Sequence, residues 1–203
     1  MTAVEVAAAP LSARTTLRLG GPARRLVVAS SEAEVVATVR AADAAGEPVL
    51  VLGGGSNLVV ADAGFDGVAV EVAAHGVELA SGGGPVIAVT AQAGENWDDL
   101  VTAMVADGLS GIEALAGIPG RVGATPIQNV GAYGQDVSQT IRSVRVYDRR
   151  TDEAIDLAPA QCRFTYRNSV FKGDDRYVVL AVTYELRRTS AGSPVRYAEL
   201  ARA

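Results

Sequence analysis

Three stretches of the 203-residue chain combine residue types suited to chemistry rather than packing alone. The first is Gly53, Gly54, Gly55, Ser56, Asn57 and Leu58, set between the apolar runs 49–52 and 58–60. Consecutive glycines let backbone N–H groups converge on an anion because no Cβ blocks a close approach, and Ser56 and Asn57 add short polar side chains. Two common phosphate motifs fail here: Leu58 stands where the dinucleotide fingerprint needs its third glycine, and no Gly-Lys-Ser/Thr ending follows. A flexible connector is the bland alternative, and the tight apolar flanks argue against it. A phosphate cradle is expected, in which a β-branched residue at Gly54 or Gly55 harms ligand binding more than folding.

The second stretch, residues 117–134, is dense in glycine and punctuated by proline. Such backbone can lie flat against an extended or planar ligand while the prolines stiffen its path. Ile118, Val122 and Ile127 offer an apolar wall, and Gln128 and Asn129 offer orienting hydrogen bonds. An irregular loop packed beneath strands is the alternative. The third stretch runs from Tyr166 to Lys172. Arg167 presents a planar fork suited to a carboxylate, and Tyr166 a ring and a hydroxyl, although both types also occur on ordinary surfaces. Lys172 is the only lysine, the other 17 basic residues being arginine.

The elements that must position these stretches can be read from periodicity. Residues 26–29 suit a strand, Ser31 with Glu34 forms a capping-box signature, and a helix should run from there to about Gly46. Residues 49–52 suit a buried strand that 58–60 resumes, so the order strand-helix-strand points to a small α/β unit. Strands are expected over 68–72, 77–80 and 86–91, separated by glycine turns. Asn96 should cap a helix from Trp97 to about Asp107, with Gly108 as its stop. Residues 144–147 and 154–157 read as a hairpin with Arg149 and Arg150 at a water-facing tip, and 177–186 as a long strand. A soft boundary near Val72 divides an N-terminal α/β lobe, 1–72, from a larger α+β lobe, 73–203. Residues 195–200 look like the start of a further element.

Composition bounds the rest. Apolar residues make up 49% of the chain and the net charge is -5, which suits a folded core and gives nucleic acid no basic face. No apolar run approaches the ~20 residues of a membrane span, and the N-terminus has no basic region of a secretory leader. A cytoplasmic protein is the expectation. Cys162 and His75 are each the only residue of their type, so no disulfide, cysteine-based or paired-histidine metal site is expected. Cys162 and Trp97 read as packing residues, and His75 as solvent-exposed.

Taken in order, residues 16–23, 52–58, 117–134 and 166–172 resemble the UDP-N-acetylenolpyruvoylglucosamine reductase family, also called UDP-N-acetylmuramate dehydrogenase. The likeness covers nearly the whole chain, and the last two motifs are the specific ones. It implies an α+β fold, the two-lobed FAD-binding domain of the UDP-N-acetylmuramate dehydrogenase and vanillyl-alcohol-oxidase type, with FAD held noncovalently between the lobes. By the same resemblance Gly53, Gly54, Gly55, Ser56, Asn57 and Leu58 wrap the FAD diphosphate. Gly117, Ile118, Pro119, Gly120, Gly123, Ala124, Gln128, Asn129, Gly131 and Ala132 follow the ribityl chain and ring. NADPH is the implied reductant and the enolpyruvyl ether of UDP-N-acetylglucosamine the implied substrate, reduced to UDP-N-acetylmuramate for peptidoglycan. Arg167 matches the arginine that stabilises the substrate's developing negative charge, with Tyr166, Tyr133 and Tyr197 around the substrate. The family's serine proton donor and late glutamate have no counterpart here, so a C-terminal substrate-binding domain is expected to be missing. Two other readings remain: an oxidase sharing the FAD domain, often with flavin attached through histidine, and a nucleotide-binding module without turnover. His75 lies outside the matched motifs.

Overall fold

The computed structural model describes residues 3–189. Strands β1 (Val4–Ala7) and β2 (Ala23–Ala29) lead into helix α1 (Glu32–Ala44). Ser31 opens that helix by accepting the Glu34 N–H on its Oγ at 3.3 Å, and the Glu34 carboxylate takes the Ser30 N–H at 2.7 Å. The first bond is in the expected register, and the return bond reaches Ser30, one residue before the cap. Strands β3 (Val49–Leu52), β4 (Phe65–Val72), β5 (Val77–Ser81) and β6 (Val86–Gln92) follow. Helix α2 (Trp97–Ala106) starts on Asn96, whose Oδ1 accepts from Asp98 and Asp99, and Gly108 ends it with φ +71°. Next come the short strands β7 (Leu109–Ser110), β8 (Gly131–Ala132) and β9 (Gln135–Asp136). The long pair β10 (Ile141–Asp148) and β11 (Glu153–Leu157), the single-turn helix α3 (Pro159–Cys162) and strand β12 (Tyr177–Arg188) complete the described chain.

Two sheets result. The first, in order β1-β2-β4-β3, is parallel except for the edge strand β1. The second, in order β11-β10-β12-β6-β5, is antiparallel throughout, and β7 pairs the end of β12. One apolar core joins them: Val27, Val68 and Val70 of the first sheet and Val35 and Val39 of α1 belong to the same buried cluster as Val89, Val144, Val182 and Leu186 of the second. A smaller cluster, with Leu11, Leu26 and Leu52, covers the other face of the first sheet.

Charge reinforces that junction. Along α1, Glu32 pairs with Arg145, Arg40 with Asp152 and Asp43 with Arg149, tying the helix to the β10–β11 hairpin at 2.9, 2.6 and 2.6 Å. Arg149 therefore does not face water as the sequence suggested. Its side chain is 15% exposed and held by Asp43 and Asp175, whereas Arg150 beside it is exposed. Behind the hairpin, the buried Asp148 carboxylate takes two donors of Arg176 and the Arg150 N–H. Cys162 and Trp97 are buried and His75 exposed, as their contexts predict.

Residues 58–60 do not resume a strand. β3 is already the sheet edge, and the chain beyond it turns back along residues 19–21, with the Gly21 N–H donating to Ala61 O at 2.9 Å. The glycine loop is pressed from behind as well. Gly55 has φ +65°, its carbonyl accepts the Thr16 N–H at 3.1 Å, and a methyl group on it would collide with the Arg14 carbonyl oxygen. This glycine serves folding as much as ligand approach, which corrects the expectation for Gly55.

Gly55→Ala should therefore destabilise the ligand-free chain by about 2–3 kcal/mol, while Gly53→Ala, which meets nothing closer than ordinary contact, should stay within about 0.5 kcal/mol. Urea unfolding of both variants checks the contrast. Asp148 yields a pH prediction. The Arg176 side chain lowers its pKa, against the opposing push of burial. A lowered folded pKa means stability that is complete above the ordinary aspartate range, about 4, and lost as the pH falls through the folded value. The gap in urea midpoint between the native chain and Asp148→Asn should be full near neutral pH and close progressively in acid.

Candidate functional site

The loop after β3 leaves its donors open. Among the described residues, the backbone N–H groups of Gly54, Gly55, Ser56, Asn57 and Leu58 find no protein acceptor. This loop faces residues 118–121: a methyl group on Gly54 would lie 3.0 Å from Gly120 Cα, and Ser56 Oγ donates to Pro119 O at 3.4 Å. Between and below them is a cavity of about 250 Å³, lined also by Trp97, Ala124, Thr125, Ile127, Gln128 and Val130. Its floor is rigid. Trp97 donates its indole N–H to Leu115 O at 3.1 Å. Thr125 donates its hydroxyl to Val122 O at 2.8 Å, so the fully buried Tyr184 must donate to Thr125. Burial pushes the Tyr184 phenol up from its ordinary pKa.

A second cavity of about 860 Å³ adjoins the first and shares Ile118, Gln128 and Val130 with it. One wall is the β8–β9 hairpin, whose two-residue tip, Tyr133 and Gly134, has φ +52° and +84°. Positive φ at both central residues is the mirror-image turn that suits strand twist, and Tyr133 occupies a position usually given to Asn or Gly. The facing wall is the turn of residues 165–168, closed by Thr165 N–H to Asn168 O at 3.0 Å and Asn168 N–H to Thr165 O at 3.2 Å. Tyr166 and Arg167 form its tip, with Tyr166 91% exposed and Arg167 at φ +50°.

A non-glycine residue in that region needs outside support, and three bonds supply it. Lys172 Nζ donates to Arg167 O at 2.9 Å, and the Asn129 amide donates to Thr165 O at 3.2 Å. Ser169 Oγ donates to Ile127 O at 2.7 Å while accepting the Phe171 N–H. Arg167 itself has no side-chain partner among the described residues. Asp136, the acidic residue lining the same cavity, takes the Ser138 hydroxyl and Gln139 amide.

The structure thus brings Gly53, Gly54, Gly55, Ser56, Asn57, Leu58, Ile118, Pro119, Gly120, Ala124 and Gln128 around the first cavity. It gathers Asn129, Gly131, Ala132, Tyr133, Tyr166 and Arg167 around the second. Gly117 and Gly123 line neither: Gly117 donates its N–H to the Asp98 carboxylate at 2.6 Å, and Gly123 is packed on Ala93. Val122, expected in the apolar wall, is fully buried beneath it. Asn129 uses its amide on Thr165 and Ser138, so its hydrogen bonds orient protein segments. Tyr197 lies outside the described residues. Sequence reasoning passed over Trp97 and Thr125 as lining residues, and also Arg121. For Arg121 a signal existed, since it is the one charged residue in 117–134.

The comparisons agree with this geometry. Residues 23–157 match the family model described as an FAD binding domain. The chain is 56% identical over 193 residues to the UDP-N-acetylenolpyruvoylglucosamine reductase of Thermobifida fusca, covering 95% of this chain and 54% of that protein. Against the same-named reductase of Streptomyces coelicolor it is 54% identical over 197 residues, covering 96% and 50%. The chain thus spans about half the length of the curated relatives it matches. The crystal structure of the Thermus caldophilus reductase superposes with TM-score 0.74 at 28% identity, over 93% of this chain and 63% of that one. A solvent-stable cholesterol oxidase shares the fold at TM-score 0.54 and 16% identity, over 83% of this chain and 35% of that one. An α+β FAD-binding domain of the expected type, matched along almost its whole length by these reductases, places the chain in the UDP-N-acetylenolpyruvoylglucosamine reductase family.

Proposed function

We propose that this chain is the flavin-holding part of an NADPH-dependent reductase acting on the enolpyruvyl ether of UDP-N-acetylglucosamine. The observation that carries the reading is the pair of adjoining cavities, one ringed by backbone donors and the other bordered by an arginine side chain, both without partners among the described residues. Their volumes, about 250 and 860 Å³, suit an extended ligand with a compact polar part and a broad planar part. FAD fits that description. When bound it supplies the two-electron carrier that no side chain here provides.

In this reading the N–H groups of residues 54–58 take the diphosphate, and Gly53 leaves the loop's entrance open. Residues 118–120 and 124–132 would run along the ribityl chain and ring, with Ile118 and Ile127 as apolar surface excluding water. Arg167 donates its guanidinium N–H pair to the substrate carboxylate and holds the negative charge that develops there as the double bond is reduced. Tyr166 and Tyr133 flank the same opening, and Tyr197 remains part of the proposed substrate site. The two sheets correspond to the two lobes, 1–72 and 73–203. NADPH as reductant and the cytoplasm as compartment belong to the same proposal. The proton that completes the reduction, and the residue that delivers it, are assigned to no group in this chain.

The isolated chain should bind FAD noncovalently and turn yellow, and acid precipitation should release all colour to the supernatant. Colour retained in the pellet would favour the oxidase reading instead. In the enzyme as it occurs in the cell, Arg167→Lys keeps the charge but loses the fork, and should slow turnover of the enolpyruvyl substrate by about 100–1000-fold. Electron transfer from NADPH to an artificial dye involves no carboxylate and should change by less than about threefold. Steady-state assays with the two acceptors make the comparison, and an equal loss in both would make Arg167 structural.

A further inference from the structure

We infer that Arg121 is the countercharge for the diphosphate, and that it makes this chain's affinity for FAD depend on a side chain as well as on the glycine loop. The inference rests on the flavin reading above and deepens it. Among the residues lining the first cavity, Arg121 alone carries a charge. Its stem lies against the cradle, since a methyl group on Gly53 would sit 3.7 Å from both Arg121 Cβ and Cγ. Arg25, Arg145, Arg149 and Arg176 each reach a carboxylate within 2.6–2.9 Å. The Arg121 guanidinium pairs with no side chain or carbonyl among the described residues.

Its backbone is not free to swing away. Gly120 O accepts the Trp97 N–H at 3.1 Å, and the Val122 N–H donates to Glu95 O at 2.9 Å, so both neighbours of Arg121 are pinned. A half-buried cation thus projects from a fixed segment toward a loop whose donors also lack partners. Backbone N–H groups orient an anion but carry no net charge, whereas a diphosphate brings negative charge into a cavity that is otherwise uncharged. A guanidinium fork supplies both the charge and two parallel hydrogen bonds to phosphate oxygens.

The test titrates the deflavinated 203-residue chain with FAD and with riboflavin, which has the ring and ribityl chain but no phosphate. Arg121→Met should weaken FAD binding by about 10–100-fold, the range of a charge-assisted hydrogen-bond pair, and leave riboflavin within about twofold. Arg121→Lys should fall between, and added salt should weaken FAD binding to the native chain more than to Arg121→Met. Thermal melts of the ligand-free variants verify folding, and Arg121→Lys, which retains stem and charge, keeps the comparison open if Arg121→Met melts early. Unchanged FAD affinity in Arg121→Met, or equal losses for FAD and riboflavin, overturns the inference while sparing the flavin reading. A native chain that binds neither ligand sinks both, and shows this before any variant is made.

Discussion

The arrangement of the site depends on a close backbone approach at the end of β3. Gly55 lies so near the Arg14 carbonyl that no side chain fits, and the Thr16 N–H closes the contact onto the Gly55 carbonyl. Held from behind in this way, residues 54–58 find no acceptor for their N–H groups among the described residues. Unsatisfied donors in a cavity are costly, and a folded chain keeps them only where something else determines the path. Here the determinant is the parallel sheet: β3 ends at its carboxyl edge, where ligand crevices form in α/β units.

The second cavity follows a related rule with a different device. Arg167 occupies a backbone conformation that glycine would take more easily, and Lys172, Asn129 and Ser169 each spend a side chain to keep its turn in place. Two of those bonds reach across to residues 127–129 or start from them, so the turn and the glycine-rich segment move as one body. The geometry of one wall is thereby coupled to the other, as the proposed function requires.

What keeps the sheets in register is a combination of non-directional and directional forces. The shared apolar core supplies most of the driving force, as burial does generally. The ion pairs from Glu32, Arg40 and Asp43 to the β10–β11 hairpin range from the exposed Arg40–Asp152 to the mostly covered Asp43–Arg149; they add less than the core and select one orientation of α1. Burial of Asp148 beneath the same hairpin tip makes the Arg176 partnership obligatory in a way the outer pairs are not.

The amino-acid sequence alone settled the local elements: the Ser31 and Asn96 caps, the Gly108 stop, the strands over 49–52, 68–72 and 86–91, and the hairpin of 144–147 with 154–157. These depend on side-chain period and on bonds within a few residues, so neighbours in the chain suffice to specify them. The glycine-rich stretches around Gly53 and Gly117 were likewise legible from glycine density, whereas Tyr166 and Arg167 drew their meaning from the family resemblance. Tertiary structure alone decided what those residues face. Whether 58–60 forms a strand depended on where the chain runs after β3, and it turns back along residues 19–21 instead. Gly55 answers to Arg14, 41 residues earlier, and Asn129 to Thr165, 36 later. Arg149 was drawn from water by Asp43, whereas Arg121 has no side-chain partner among the described residues. Such outcomes depend on groups brought together only when the chain closes, and no local pattern in the sequence encodes that distance.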